Sequence, residues 1–329
     1  MRIAINGMGR IGRLLFRRLI DHPAIELIAI NDIMNIDNLA YLVKYDSVYG
    51  TFNGTIGYDE QSLIVNNKKI AVLQKENPAE LPWKAMNIDI VLECTGKFTT
   101  AAQAGHHLKS GAGKVLLSTT GSSDIPLLIY GFNQSTLTNG IKIISPGGCM
   151  TNCSVHILNL LNSIGIQSAQ INILHSYTSR QELVDAPNKN FRRGRAAAES
   201  IIPVELDLHQ SIVRLIPELQ NKIAAVSTRV PVANGAMADF TIQLCKTCSA
   251  KEINNLFKAA AQNEYKHILE YTEEPIVSTD IKGNTHSGII DASLTSTTGN
   301  LVKLIVWFDN EYGFTSRMID WLLYCKKLL

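Results

Sequence analysis

Residues 2–32 read RIAINGMGRIGRLLFRRLIDHPAIELIAIND. RIAIN (2–6) is a short, mostly apolar run suited to a buried strand. From Arg10 to Asp21 the apolar residues Ile11, Leu14, Leu15 and Leu19 recur at helical spacing, and ELIAIN (26–31) returns to a strand pattern. Strand, helix and strand in that order make a βαβ unit, which calls for a parallel pair joined by a right-handed crossover. Gly7-Met8-Gly9-Arg10-Ile11-Gly12 is a G-x-G-x-x-G that leaves the first strand and opens the helix, and Asp32 ends the next strand. The glycine pattern alone is a weak signal, but in this context it is a specific one. Gly7 permits the tight turn, Gly9 lets the backbone approach a pyrophosphate, and Gly12 lets helix and strand pack closely. The diphosphate would rest on the helix start around Arg10 and Ile11, where free N–H groups and the dipole favour an anion. Asp32 would accept hydrogen bonds from the adenosine ribose and repel a ribose phosphate, so the expected cofactor is NAD rather than NADP.

Working outward, further buried-type strands are expected at 88–94, 114–118, 127–132 and 142–145, with a helix, AAQAGHHLKSG, between the first two. The first half therefore reads as α/β with a doubly wound parallel (Rossmann) sheet. A helical stretch from 149 to Ile164 precedes strands at 169–177, 224–232, 238–244 and 297–308, which suit a mainly antiparallel sheet, so the second half reads as α+β. The expected division is 1–148 for the NAD-binding domain and 149–312 for a catalytic domain, with a C-terminal helix over 313–329 packing back on the first. A chain of 329 residues exceeds the usual single-domain size, in keeping with two domains.

Composition narrows the partners. With 46% hydrophobic and 18% charged residues and a net charge of +2, nothing favours nucleic acid or a membrane as partner. The N-terminus lacks a secretion-signal pattern and no apolar run approaches the roughly 18 residues of a spanning helix, so a cytoplasmic location is expected. Six cysteines form no dense framework. Cys245-Lys-Thr-Cys248 has half of a zinc-site spacing without a second pair, and reads as two small residues at a strand end; no metal is expected.

Ser145-Pro-Gly-Gly-Cys149-Met-Thr-Asn-Cys153 puts Cys149 at a helix start, where a partly exposed thiol would feel the positive end of the dipole and have a lowered pKa. Position alone does not prove reactivity, since a lone cysteine is more often an inert buried one. Together with AINGMGRIGR, KYDSVYG, ECTGKFTT, LHSYTSRQ, RRGRAAAESIIP, RVPVAN and WFDNEYGF, this segment resembles the glyceraldehyde-3-phosphate dehydrogenase family over nearly the whole chain. The resemblance implies a glycolytic oxidoreductase and a homotetramer. It makes Cys149 the nucleophile that attacks an aldehyde carbon to form a thiohemiacetal, and His175 the base that takes the thiol proton, an imidazole titrating near working pH. Loss of hydride to the nicotinamide leaves a thioester for a second nucleophile. The resemblance also puts Thr95, Thr119 and Asn310 on the cofactor, with Asn310 orienting the nicotinamide amide; Pro187 fits the NAD-selective form of its loop.

Two anion sites are implied. For the substrate phosphate, Thr178 and Arg229 match, while Arg180 stands where the family usually has an acid. For the attacking phosphate the family places hydroxyls where this chain has Gly148, Met150 and Leu206, and Asp207 stands beside them; Arg195 remains as a cation. Glu76 replaces a basic residue common near the adenine. These readings lead to an NAD-dependent dehydrogenase of a small phosphorylated aldehyde, with inorganic phosphate as the expected acyl acceptor. Water is the challenger, as in the related erythrose-4-phosphate dehydrogenases, whose sequences LPWKAMNIDIVLECTG and SIIPV resemble. An NAD-binding interaction module with little turnover is the alternative of another class.

Overall fold

β1 (Arg2–Asn6), α1 (Arg10–Leu19) and β2 (Glu26–Asn31) form where the periodicity predicts them in the computed structural model, which describes residues 1–328. Residue 329, the end of the expected C-terminal segment, lies outside the described residues. The helix stops short of His22-Pro23, since the residue before a proline disfavours the helical region. It buries Leu14, Leu15, Phe16 and Leu19, while Ile3 and Ile5 of β1 are also buried.

The chain forms two compact units, one made of Met1–Gly148 with the chain from Arg317 onward, the other of Cys149–Ser316. In the first, α2 (Ile36–Lys44), β3 (Ile56–Tyr58), β4 (Ser62–Val65), β5 (Lys68–Leu73), β6 (Ile90–Glu93), α3 (Ala101–Lys109), β7 (Lys114–Leu117) and β8 (Ile143–Ile144) follow. The sheet order is β3-β4-β5-β2-β1-β6-β7-β8, parallel from β5 to β8. From β1 the chain winds to one side and then returns to place β6 on the other. The strand order thus reverses between β1 and β6, and ligands of doubly wound sheets bind beyond the carboxyl ends of the strands at such a point.

The second unit holds α4 (Cys149–Asn162), β9 (Ile166–Ser176), β10 (Ile202–Glu205), α5 (Leu208–Leu215), β11 (Ile223–Val230), β12 (Ala236–Leu244), α6 (Ala250–Gln262), β13 (Leu269–Thr272), β14 (Gly288–Thr298) and β15 (Leu301–Phe308). Its sheet runs β10-β11-β9-β12-β15-β14-β13, antiparallel apart from the β11–β9 and β13–β14 pairs. A last helix, α7 (Tyr312–Lys326), begins in this unit and continues into the first. Among the described residues no helix is long and apolar enough to cross a membrane, and no group of three or more His, Cys, Asp or Glu could hold a metal ion.

Two strand expectations are corrected. Residues 127–132 are not a strand: Leu127 makes one isolated bridge to Ser145, and Asn133 Oδ1 accepts from the Ile129 N–H at 2.6 Å, turning the chain. Their apolar run reflects burial of a turn, with Leu127, Leu128 and Ile129 all buried. The expected strand 297–308 is instead a hairpin, β14 and β15, reversed at Gly299 with φ +61°.

Candidate active site

At the carboxyl ends of β1, β2 and β6 a cleft of about 440 Å³ is lined by Asn6, Gly7, Gly9, Asn31, Asp32, Ile33, Lys75, Glu76, Cys94, Thr95, Lys97 and Phe98. Gly7 has φ +95°, and a Cβ there would lie 2.6 Å from the Thr95 nitrogen. A Cβ on Gly12 would lie 2.0 Å from the Gly7 carbonyl oxygen, whereas one on Gly9 would meet no atom within 4 Å. Gly12 therefore serves packing and Gly9 keeps room beside the helix start. The N-cap of α1 is Gly9, which makes no side-chain cap bond, and a helix start of this kind suits an anion. Asp32 accepts from the N–H groups of Met8 at 2.6 Å and Met34 at 2.9 Å, which fixes the carboxylate at the cleft. These features fit a dinucleotide. Arg10 and Ile11 do not line the cleft; Arg10 pairs instead with Asp46 at 2.6 Å. Thr119 lies two residues beyond β7, its carbonyl accepting from Ser145 Oγ at 3.3 Å.

Gly12→Ala is expected to lower unfolding stability by about 3 kcal/mol through forced separation of α1 from the preceding turn. A urea melt checks this, and an unchanged midpoint would contradict it.

Gly147, near the end of the first unit's long segment, turns the chain with φ +72°, and α4 then begins the second unit at Cys149. His175 lies near the end of β9, its Nε2 3.7 Å from Cys149 Sγ. Its Nδ1 is 2.7 Å from the Ser176 carbonyl oxygen. A carbonyl only accepts, so Nδ1 carries the proton of the neutral ring and Nε2 faces the thiol with its lone pair. Register puts Arg229 of β11 opposite His175, and Arg229 Nη1 donates to the same Ser176 carbonyl at 3.1 Å. Asn310 Oδ1 accepts from Ser176 Oγ at 3.2 Å and from the Gly235 N–H at 3.0 Å, which leaves its amide NH₂ as the outward donor end.

Electrostatics correct the expectation of a lowered thiol pKa. Burial pushes the Cys149 thiol up to about 11, outweighing Arg229 and the backbone N–H groups of Met150 and Cys149. Burial, and after it the charge of Arg229, pushes His175 down to about 3. The resting pair is a neutral thiol beside a neutral imidazole, and the histidine does not titrate near neutral pH as expected. Sequence position registered the helix start but not the desolvation.

The anion residues divide. Arg229 is buried with Nε unpartnered; burial lowers its pKa, and the charges of Arg193 and Arg180 add to that. Thr178 Oγ1 accepts from the Arg180 N–H at 3.4 Å. Arg195 pairs with Asp185 at 3.0 Å and lines, with Ala186, Pro187 and Asn188, a separate depression of about 430 Å³. A Cβ on Gly148 would meet nothing within 4 Å; Met150 follows Cys149 in α4, and Asp207 is the exposed N-cap of α5.

The NAD binding domain of glyceraldehyde 3-phosphate dehydrogenase matches residues 1–101, and the C-terminal domain of the same enzyme matches residues 148–310. The chain belongs to the glyceraldehyde-3-phosphate dehydrogenase family. It is 39% identical to glyceraldehyde-3-phosphate dehydrogenase 1 of Bacillus cereus, over 97% of this chain and 96% of the relative. It is 40% identical to glyceraldehyde-3-phosphate dehydrogenase of Colletotrichum lindemuthianum, over 100% and 98%. For glyceraldehyde-3-phosphate dehydrogenase 3 of Saccharomyces cerevisiae the identity is 39%, over 97% of each. The chain is accordingly an oxidoreductase with NAD as its cofactor. Sequence reasoning within this family missed Asn6, Asn31 and Ser176. The two asparagines each end an apolar strand next to the glycine motif or Asp32, and that placement was the available signal.

Proposed function

We propose that the chain is an NAD-dependent glyceraldehyde-3-phosphate dehydrogenase acting through Cys149, with inorganic phosphate as acyl acceptor. The observation that carries this reading is the Cys149–His175 pair, 3.7 Å apart with the imidazole lone pair turned to the sulfur. His175 takes the thiol proton as sulfur attacks the aldehyde carbon, giving a thiohemiacetal on Cys149. NAD supplies the hydride acceptor when bound, and the oxidised adduct is a thioester. Arg229, buried with a free Nε, and Thr178 suit the substrate phosphate. N–H groups at the start of α4 suit the developing oxyanion. In this reading 1–148 bind NAD, the C-terminal segment 313–329 packs back on that domain, and 149–312 carry the chemistry. A cytoplasmic homotetramer accompanies it, which sedimentation would test.

A specific observation favours a second reading, water as acceptor: hydroxyls are absent at 148, 150 and 206, and Asp207 is exposed. Losing three donors at about 1 kcal/mol each weakens phosphate capture by roughly a hundredfold. The deciding experiment measures NADH formed from glyceraldehyde 3-phosphate and erythrose 4-phosphate while inorganic phosphate is varied. Saturation with phosphate is the expected result; a rate independent of it would assign hydrolysis. Because a side chain at 148 has open space, the Gly148→Ser, Met150→Thr double variant should lower the KM for phosphate about tenfold or more. An unchanged KM would separate those positions from phosphate capture.

A further inference from the structure

Glu93 ends β6 with its carboxylate buried, and it collects four donors. Asn6 Nδ2 lies 2.5 Å and His107 Nε2 2.9 Å from Oε2, the Thr95 N–H donates to Oε1 at 2.8 Å, and the Thr95 hydroxyl donates to Oε1 as well. Behind it, Trp83 Nε1 is 2.9 Å from His107 Nδ1. An indole N–H only donates, so His107 Nδ1 accepts, and Nε2 carries the proton given to Glu93. On the other side, Asn6 Oδ1 accepts from Asn31 Nδ2 at 2.6 Å. Asn31 in turn clasps Lys75, donating to its carbonyl and accepting from its N–H, each at 2.9 Å.

The chain of bonds therefore has a buried half, Trp83, His107 and Glu93, and a half that lines the cleft, Asn6, Asn31, Lys75 and Thr95. It crosses the carboxyl ends of β2, β1 and β6, where the strand order reverses. Every donor named finds an acceptor, and such a satisfied buried network is rigid. A wall held in place before binding reduces the ordering cost of taking up a ligand.

We propose that Glu93, backed by His107, is a positioning residue for NAD: it fixes Thr95 and the Asn6–Asn31–Lys75 wall of the dinucleotide cleft without touching the cofactor. The role concerns binding and is independent of which acceptor resolves the thioester.

Glu93→Gln tests it, because the amide NH₂ faces a donor in either orientation. His107→Leu removes the support from outside the cleft. His107→Gln, with one acceptor and one donor end, is the conservative rescue. Titration with NAD alone should give dissociation constants raised about tenfold in Glu93→Gln and His107→Leu, with His107→Gln recovering most of the loss. Both kcat at saturating NAD and the alkylation rate of Cys149 should stay within about twofold. Unchanged NAD affinity in folded Glu93→Gln would overturn the proposal, as would unchanged affinity in His107→Leu should Glu93→Gln fail to fold. It would equally be overturned if His107→Gln were as weak as His107→Leu, or if saturating NAD failed to restore kcat, since the network would then serve the fold alone. NAD titration needs no turnover, so a failure of the proposed aldehyde chemistry would be seen separately.

Discussion

Cys149→Ser should cut NADH formation from an aldehyde phosphate by on the order of 10³-fold or more while leaving NAD affinity within about twofold. A hydroxyl is a far weaker nucleophile than sulfur, and a site that desolvates the nucleophile enough to hold a thiol up to about 11 disfavours an alkoxide further still. NAD affinity should survive because Cys149 is not among the residues that line the dinucleotide cleft. Steady-state NADH absorbance with a parallel NAD titration is the measurement. A loss below about tenfold would remove the covalent route.

The second large effect is at His175. Replacement by asparagine should lower kcat/KM by about 10² to 10³-fold, the usual range for a lost general base. Its pH dependence is the sharper signature. With the thiol held at about 11, roughly one molecule in ten thousand carries a thiolate at pH 7 once the base is gone. The alkylation rate of Cys149 in His175→Asn should then climb close to tenfold per pH unit toward about 11. In the unaltered protein the imidazole, held down to about 3, is neutral and ready to accept across about pH 5–8, so the rate should vary far less there. Equal slopes for the two proteins would show that His175 does not take the proton.

The βαβ start was legible because parallel strands buried on both faces are nearly continuous apolar runs, and Gly7 and Gly12 leave no other residue room. The same rule misled at 127–132, since a buried turn is equally apolar. β14 was missed because its outer half, SLTSTT, is polar and much of it exposed. The β4–β5 hairpin had a readable signal in Asn66-Asn67, whose φ values of 48° and 64° make the two-residue turn that asparagines favour. At the site, motifs located Cys149, His175 and Asp32, but no motif states which ring nitrogen faces the sulfur, how far burial opposes the helix dipole, or that Arg195 is engaged by Asp185. Those depend on three-dimensional neighbours: Ser176, Arg229 and the packing around α4.

The Ser176 carbonyl that fixes the His175 tautomer belongs to the main chain. No substitution at position 176, short of one that redirects the strand, deletes that acceptor. The facing of the base is thereby inherited with the sheet rather than with any side chain. Side-chain changes beside the thiol, such as those at 148 and 150, therefore leave the hydrogen bond that orients the His175 ring in place.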